Sequence, residues 1–385
     1  MYPLKIFIGN FNKNIILLIF GLGFFVRIIL FKNESIVSLL SNRVEIATPV
    51  TSYKRLKEGL FLYEHGVSPY NGNLFHQAPL LLMLFSAIKS ISHSQFFISL
   101  LYTITDLFSA WSILDLTGSV SLKNQSMNLY AKYISTSLFL FNPYSVISCL
   151  GMSTAIFTNC SILTSLSYLQ RGKSMQSVFF LAIATYLSLY PILLLPPSIL
   201  LLRKNNIKKM YMSTAKNVIS FFVILLLLLL LSFLITNSWD FLSATYGSML
   251  LVSDLTPNIG LWWKYPFFII IILCGIMSIL KPYPSIADIV LFMSLLPFLY
   301  PIYSYMRYSF ITISCFLYCS FLGPAFYYLW IHAGSGNANF FYSITLVWNF
   351  NLSIIITDIV FAILKMELEI ERPDMKGVDV IQINY

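Results

Sequence analysis

Ionisable and amide groups set inside apolar sequence are the first residues that could do chemistry. Arg27, Asp106, Asp115, Arg307 and Asp358 each stand within an otherwise apolar stretch. A charge at membrane depth is expensive unless it is paired or wet, so each is a candidate for a polar path or an interhelical ion pair. Asp358 lies close before a charged tail and Asp288 opens its segment, which suits positions near an interface. The run Ala333-Gly334-Ser335-Gly336-Asn337-Ala338-Asn339-Phe340-Phe341-Tyr342 offers something different. Its small residues let a ligand or a helix approach the backbone. Asn337 and Asn339 supply donors and acceptors suited to sugar hydroxyls or phosphate oxygens. A plain turn closed by a helix cap explains the same residues, and both readings stand.

A second group of polar residues precedes the second apolar segment. It runs Asn42-Arg43-Val44-Glu45-Ile46-Ala47-Thr48-Pro49, then Ser52–Glu64, then Gly66-Val67-Ser68-Pro69-Tyr70. In Ser52–Glu64, Tyr53, Leu56, Leu60 and Tyr63 fall near one helical face, with Lys54, Arg55, Lys57 and Glu58 elsewhere. That spacing suits an amphipathic helix at the membrane interface. Gly66 would end it, and Ser68-Pro69-Tyr70-Asn71-Gly72 is turn chemistry. The loop reads as a folded cap over a helical bundle or as a substrate-facing surface. Leu140-Phe141-Asn142-Pro143-Tyr144 and Leu255-Thr256-Pro257-Asn258-Ile259-Gly260 are similar polar interruptions with proline.

Soluble enzyme motifs are missing. The sequence has no phosphate-binding P-loop, no His-Glu-x-x-His and no Gly-x-Ser-x-Gly. His65, His76, His93 and His332 are dispersed. Cys149, Cys160, Cys274, Cys315 and Cys319 lie within apolar runs without metal-ligand spacing, as buried thiols do. No metal or cofactor is expected, and spacing favours a membrane scaffold or lipid-binding protein over an enzyme.

The elements that must hold these groups are membrane helices. Hydrophobic residues make up 58% of the chain and charged residues 10%, with a mean hydropathy of +0.78. Soluble domains carry about 25% charge, so that class is excluded. The net charge of +9 comes from Lys and Arg scattered between apolar segments, which fits basic cytoplasmic loops rather than a nucleic-acid surface. Apolar segments are expected near Ile15–Phe31, Phe96–Leu116, Tyr130–Leu150, Val218–Thr236, Ile286–Leu299, Tyr308–Phe321 and Phe340–Leu364. Shorter or proline-broken ones fall at Ala78–Ile88, Met175–Leu202 and Tyr265–Leu280. At about 20 residues per crossing this gives about ten to twelve membrane segments. The cluster Arg203–Lys209 marks the cytoplasmic side. Residues 32–77 and 237–264 then form two lumenal loops, and 365–385 a short cytoplasmic tail. The expected fold is one all-α multi-pass domain over residues 1–385. Asn33-Glu34-Ser35 has the form of a glycosylation acceptor but sits close to the membrane.

Taken in order over about residues 20 to 365, these blocks resemble the U subunit of the GPI transamidase, the PIG-U family. The resemblance implies an endoplasmic reticulum membrane protein in a five-part complex with K, T, S and GAA-type subunits. That complex removes a C-terminal signal from a precursor and joins the new carboxyl end to a GPI lipid. The cysteine nucleophile belongs to the K subunit, which makes this chain an accessory that binds and presents the lipid. The family is similar to the GT-C glycosyltransferases that build GPI. Those relatives carry Asp-x-Asp where this chain has Asn42-Arg43-Val44-Glu45, leaving one acid beside Arg43. The resemblance assigns GPI binding to Asn337, Asn339, Phe340 and Phe341, and a loop motif to Arg43, Glu45, Ser68, Pro69, Tyr70 and Asn258. Two other classes stay in view. An active dolichyl-phosphate-sugar transferase would use Glu45, with Asp254 as its possible second acid. A transporter or flippase would use Arg27, Asp106 and Arg307.

Overall fold

A computed structural model describes residues 2–43, 45–72, 74–91, 95–119, 125–204, 210–247, 266–281 and 285–371. Among them the backbone is helices and turns, apart from one antiparallel bridge between Ser52 and Ser153. An all-α polytopic membrane protein is what such composition permits, because lipid cannot satisfy an open strand or loop. Among the described residues six helices are long and apolar enough to cross a membrane: Asn14–Phe31, Gln95–Thr117, Thr214–Thr236, Ile286–Tyr305, Ser309–Ile331 and Ala338–Ile370. Four shorter apolar helices, Pro79–Ile91, Ser174–Leu187, Tyr190–Leu202 and Phe267–Leu280, occupy most of the positions where broken segments were expected. The chain divides into two compact units, Met1–Pro297 and Phe298–Tyr385.

In the first unit, α1 (Tyr2–Phe31) leads through α2 (Glu34–Ser41) to α3 (Tyr53–Glu64), and α4 (Pro79–Ile91) follows. The apolar run expected over 130–150 is two helices, α6 (Gln125–Phe141) and α7 (Pro143–Leu150). Asn142 breaks it by capping α7, its Oδ1 accepting from the Tyr144 backbone N–H at 3.0 Å, and Pro143 takes the first helical position. α5 (Gln95–Ser119) packs on α1, α6 and α8 (Ala155–Gln170).

Helix α8 was not expected from hydropathy, because Thr158, Asn159, Ser161, Thr164, Ser165 and Ser167 interrupt its apolar residues. Yet its residues are buried on every face, packed on α5, α9 (Ser174–Leu187), α10 (Leu195–Lys204) and α14 (Ile286–Leu295). Its hydroxyls turn inward on the helix and its neighbours. Thr164 and Ser161 donate to the carbonyls four residues back, and Ser165 donates to Ser177 O on α9. A helix wholly surrounded by protein needs no apolar stripe.

α11 (Met210–Thr236) packs on α9 and α4, and α12 (Asp240–Leu242) and a π-turn Ser243–Gly247 follow it. α13 (Pro266–Leu280) packs on α10 and α14. The second unit is a hairpin of α15 (Ser309–Ile331) and α16 (Ala338–Glu371). α15 runs ten residues beyond the expected end at Phe321, through Pro324. α16 continues to Glu371, so the helix covers the start of the expected tail.

Candidate functional site

The first loop is a folded cap. Ser52 caps α3, accepting from the Lys54 N–H at 3.1 Å. Leu56, Gly59 and Leu60 face inward to a core with Phe75, Phe85, Tyr102 and Phe157. α3 thus packs into protein rather than lying on an interface alone. Gly59 is required by this packing: a Cβ there would come 2.7 Å from Phe75 Cδ2. Gly66, at φ +73°, ends the helix as expected. Backbone contacts tie the loop to the α7–α8 turn. Thr154 donates from N and Oγ1 to Thr51 O, at 2.7 and 3.0 Å. Met152 adopts φ +51°, its carbonyl held by the Tyr102 hydroxyl at 3.0 Å.

The motif residues divide by role. Arg43 donates to Glu45 Oε1 at 3.2 Å, and the backbone carbonyl of Glu45 accepts from the Ile286 N–H at 2.9 Å. Glu45 Oε2 is buried and has no hydrogen-bond partner among the described residues. Ser68 and Pro69 form the turn that delivers Tyr70, which is buried and donates to Gln77 O at 2.9 Å. Burial, with Tyr186 and Tyr246 nearby, holds the Tyr70 hydroxyl well above its ordinary pKa, so it stays a neutral donor. Asn258 and Asp254 lie outside the described residues.

Beside this motif opens a cleft that the sequence reading missed. It is a small open cleft of about 60 Å³, lined among others by Thr51, His76, Gln77, Thr158, Ser188 and Lys281. Gln77 is 4% exposed. Its Nε2 donates to Ser52 O at 2.8 Å, and its buried Oε1 meets no partner among the described residues. Lys281 Nζ bonds Asp288 Oδ1 at 2.5 Å, and Asp288 Oδ2 in turn accepts from Ser285 N and Oγ. Part-buried polar contacts tie neighbouring elements: Leu80 N donates to the Tyr186 hydroxyl at 3.0 Å, and the Tyr246 hydroxyl to Tyr186 O at 2.5 Å. His76 Nδ1 meets Ala244 O at 2.7 Å.

The intramembrane charges are structural pins. Arg27 is fully buried. It is paired with Asp106, and it donates to Leu140 O at 3.0 Å, Gly23 O at 3.1 Å and Ser145 Oγ at 3.2 Å. Asp115 pairs with Arg171 and accepts from Ser167. In the second unit Asp358 accepts from the N–H groups of Arg307 and Tyr308, both at 3.0 Å, at the head of α15. The Arg307 guanidinium sits 3.8 Å over the Phe361 ring. Asp358 is thus a buried acceptor at a helix end.

The amide-bearing segment is the tip of the second unit's hairpin. Gly334 takes φ +61°, and Gly336 N donates to Leu329 O at 2.9 Å. A Cβ on Gly336 would come 3.0 Å from the Leu329 carbonyl carbon, so only glycine closes the turn this tightly. Asn337 caps α16, its Oδ1 accepting from Asn339 N at 3.2 Å. Asn339 is exposed, and its side-chain amide meets no protein partner among the described residues. The rings that follow in the chain pack on α15: Phe341 lies 5.5 Å from Tyr327 and 6.2 Å from Trp330, and Phe340 lies 5.7 Å from Phe326. Phe340 remains 55% exposed. Exposed amides on an aromatic platform are what polyhydroxylated ligands use, through hydrogen bonds and ring faces.

The family profile described as GPI transamidase subunit PIG-U matches residues 21–263 and 264–348. The chain belongs to the PIG-U family. The mouse GPI-anchor transamidase component PIGU is 33% identical over 405 aligned residues, covering 89% of this chain and 92% of the relative. The GPI transamidase component GAB1 of Saccharomyces cerevisiae is 33% identical over 377, with the same coverage. A GPI mannosyltransferase 1 of Debaryomyces hansenii is 29% identical over 136 residues, only 34% of this chain and 32% of that relative. The PIG-U match spans both units and both motif regions, whereas the transferase likeness is partial.

Proposed function

We propose that this chain is an accessory, non-catalytic subunit of an endoplasmic reticulum GPI transamidase, binding the GPI lipid and presenting it for transfer. K, T, S and GAA-type subunits are its partners, the K-type chain carries the nucleophile, and the precursor's C-terminal signal is a further ligand. The observation supporting lipid presentation is the hairpin tip, where the exposed Asn339 is followed in the chain by Phe340 and Phe341, the Phe341 ring packing on Tyr327 and Trp330. Asn337 positions the tip through its cap, and Asn339 is the side chain available to hydrogen-bond glycan hydroxyls or phosphate oxygens. Transamidation needs the GPI amine held beside an acyl carbon, and such positioning can supply several kcal/mol of the barrier.

The test separates positioning from contact. Asn339→Ala lowers transamidation in reconstituted complex by about tenfold, the effect of losing one or two hydrogen bonds to a polar ligand, and leaves subunit assembly intact. Asn337→Asp keeps the cap and retains most activity. Loss of assembly in Asn339→Ala would make the tip structural and sink the lipid-contact reading.

One observation favours a second reading, an active glycosyltransferase: Glu45 Oε2 is buried without a partner among the described residues, in a chain partly similar to a GPI mannosyltransferase. Transfer of mannose from dolichyl-phosphate-mannose by the purified chain, abolished in Glu45→Gln, would establish it.

A further inference from the structure

We infer that a single water molecule is bound in the polar core of the first unit, between α5, α7 and α8, as a member of the Arg27–Asp106 pin. A cavity of about 10 Å³ lies there, and Asp106, Ser109, Ser145, Ser148 and Asn159 line it. None of the five is more than 9% exposed. The size is close to the roughly 10–15 Å³ that one water needs, and it excludes larger ligands.

The hydrogen-bond inventory defines what the occupant must offer. Every hydrogen bond that reaches Asp106 among the described residues is made at Oδ2, where Arg27 Nε donates at 2.7 Å and Ser145 Oγ at 3.3 Å. Its Oδ1 is left as a charged acceptor deep in protein, which is costly until a donor meets it. Ser109 and Ser148 are not that donor, because their hydroxyls donate to Thr105 O at 3.0 Å and Tyr144 O at 2.7 Å. Asn159 Nδ2 gives one hydrogen to Ala287 O at 2.7 Å, which fixes the amide oxygen as an acceptor and leaves one hydrogen to give. The walls are therefore rich in acceptors, with one spare donor. Water matches them by giving two hydrogens and accepting one, the number of bonds that buried waters typically make. A cation does not match. Arg27 already neutralises Asp106, so a second positive charge would stand uncompensated in the core. The bound water joins α5, α7 and α8, and through Asn159 the network reaches α14 at Ala287. This inference does not depend on the transamidase reading.

The full-length chain, purified in mild detergent with its accompanying proteins, is exposed to a short synchrotron X-ray pulse. Radicals born from a bound water hydroxylate the side chains nearest to it, and mass spectrometry locates them. Phe139, which lines the cavity and is 4% exposed, should be hydroxylated. Phe221 is wholly buried and not part of the walls, and it should stay unlabelled. Asn159→Leu fills the space and should abolish the Phe139 label. If that variant lowers the unfolding temperature, Ser148→Val, which puts methyl groups beside the same space, takes its place. Phe139 labelled no more than Phe221 would mean a dry cavity and overturn the proposal. A Phe139 label that survives both variants would come from bulk water and overturn it too. Loss of the label in sodium chloride but not in choline chloride of equal ionic strength would make this a sodium site and overturn the assignment to water.

Discussion

At Arg27 a charge is held out of lipid and water alike by Asp106, Ser145 and two backbone carbonyls. Breaking such a pair strands its partner, so Arg27→Met alone should cost about 3–5 kcal/mol. Arg27→Met with Asp106→Leu should restore most of the loss. Thermal unfolding of the detergent-solubilised chain reads both, and equal losses would show that the pair does not act as a unit. The residue types at membrane depth announced these positions, but not their roles. Hydropathy shows that a charge must be met and cannot name what meets it. Asp358 illustrates this, since its partners are backbone N–H groups about fifty residues away. Asn337 and Asn339 were legible as a pair, whereas only the fold assigns one to a cap and leaves the other open. Gln77 carried no signal, because the residue types around it do not show that its amide is buried with Nε2 bonded to Ser52 O.

Elements were legible wherever one face was apolar. α3 was visible from its spacing, and Gly66 from the turn chemistry behind it. What spacing could not show is the closeness of α3 to Phe75, which makes Gly59 a packing residue. Phe75 is 1% exposed. Gly59→Ala should therefore cost about 1–3 kcal/mol by overpacking and loosen the cap, read as faster proteolysis within residues 42–70. Unchanged proteolysis and unfolding would show that the ring has room to move. α8 was hidden for the opposite reason: a helix contacted on all sides satisfies its hydroxyls internally and leaves no amphipathic trace. Asn142-Pro143 was noted as an interruption, yet its consequence, two helices in place of one, depends on a cap that the flanking leucines disguise.

For the whole chain, membrane class, helical fold and family were readable, because composition and ordered motifs survive without coordinates. The two units and the cleft were not, because both depend on which helices meet. Membership of the PIG-U family sets the test at this scale. A tagged full-length chain solubilised gently should co-purify a cysteine protease-like protein together with T, S and GAA-type subunits. Recovery of the chain alone would remove the transamidase assignment and put the mannose-transfer assay first. The enclosed helix α8 also constrains how the chain is made. Its 16 residues span only about 24 Å at 1.5 Å per residue, less than the roughly 30 Å apolar thickness of a bilayer. Rich in hydroxyls and short, it is poorly suited to leave the translocon for lipid by itself. During synthesis it must be retained until α9 and α14 emerge to cover it, so the ribosome has to extend the chain past residue 295 before this segment is settled.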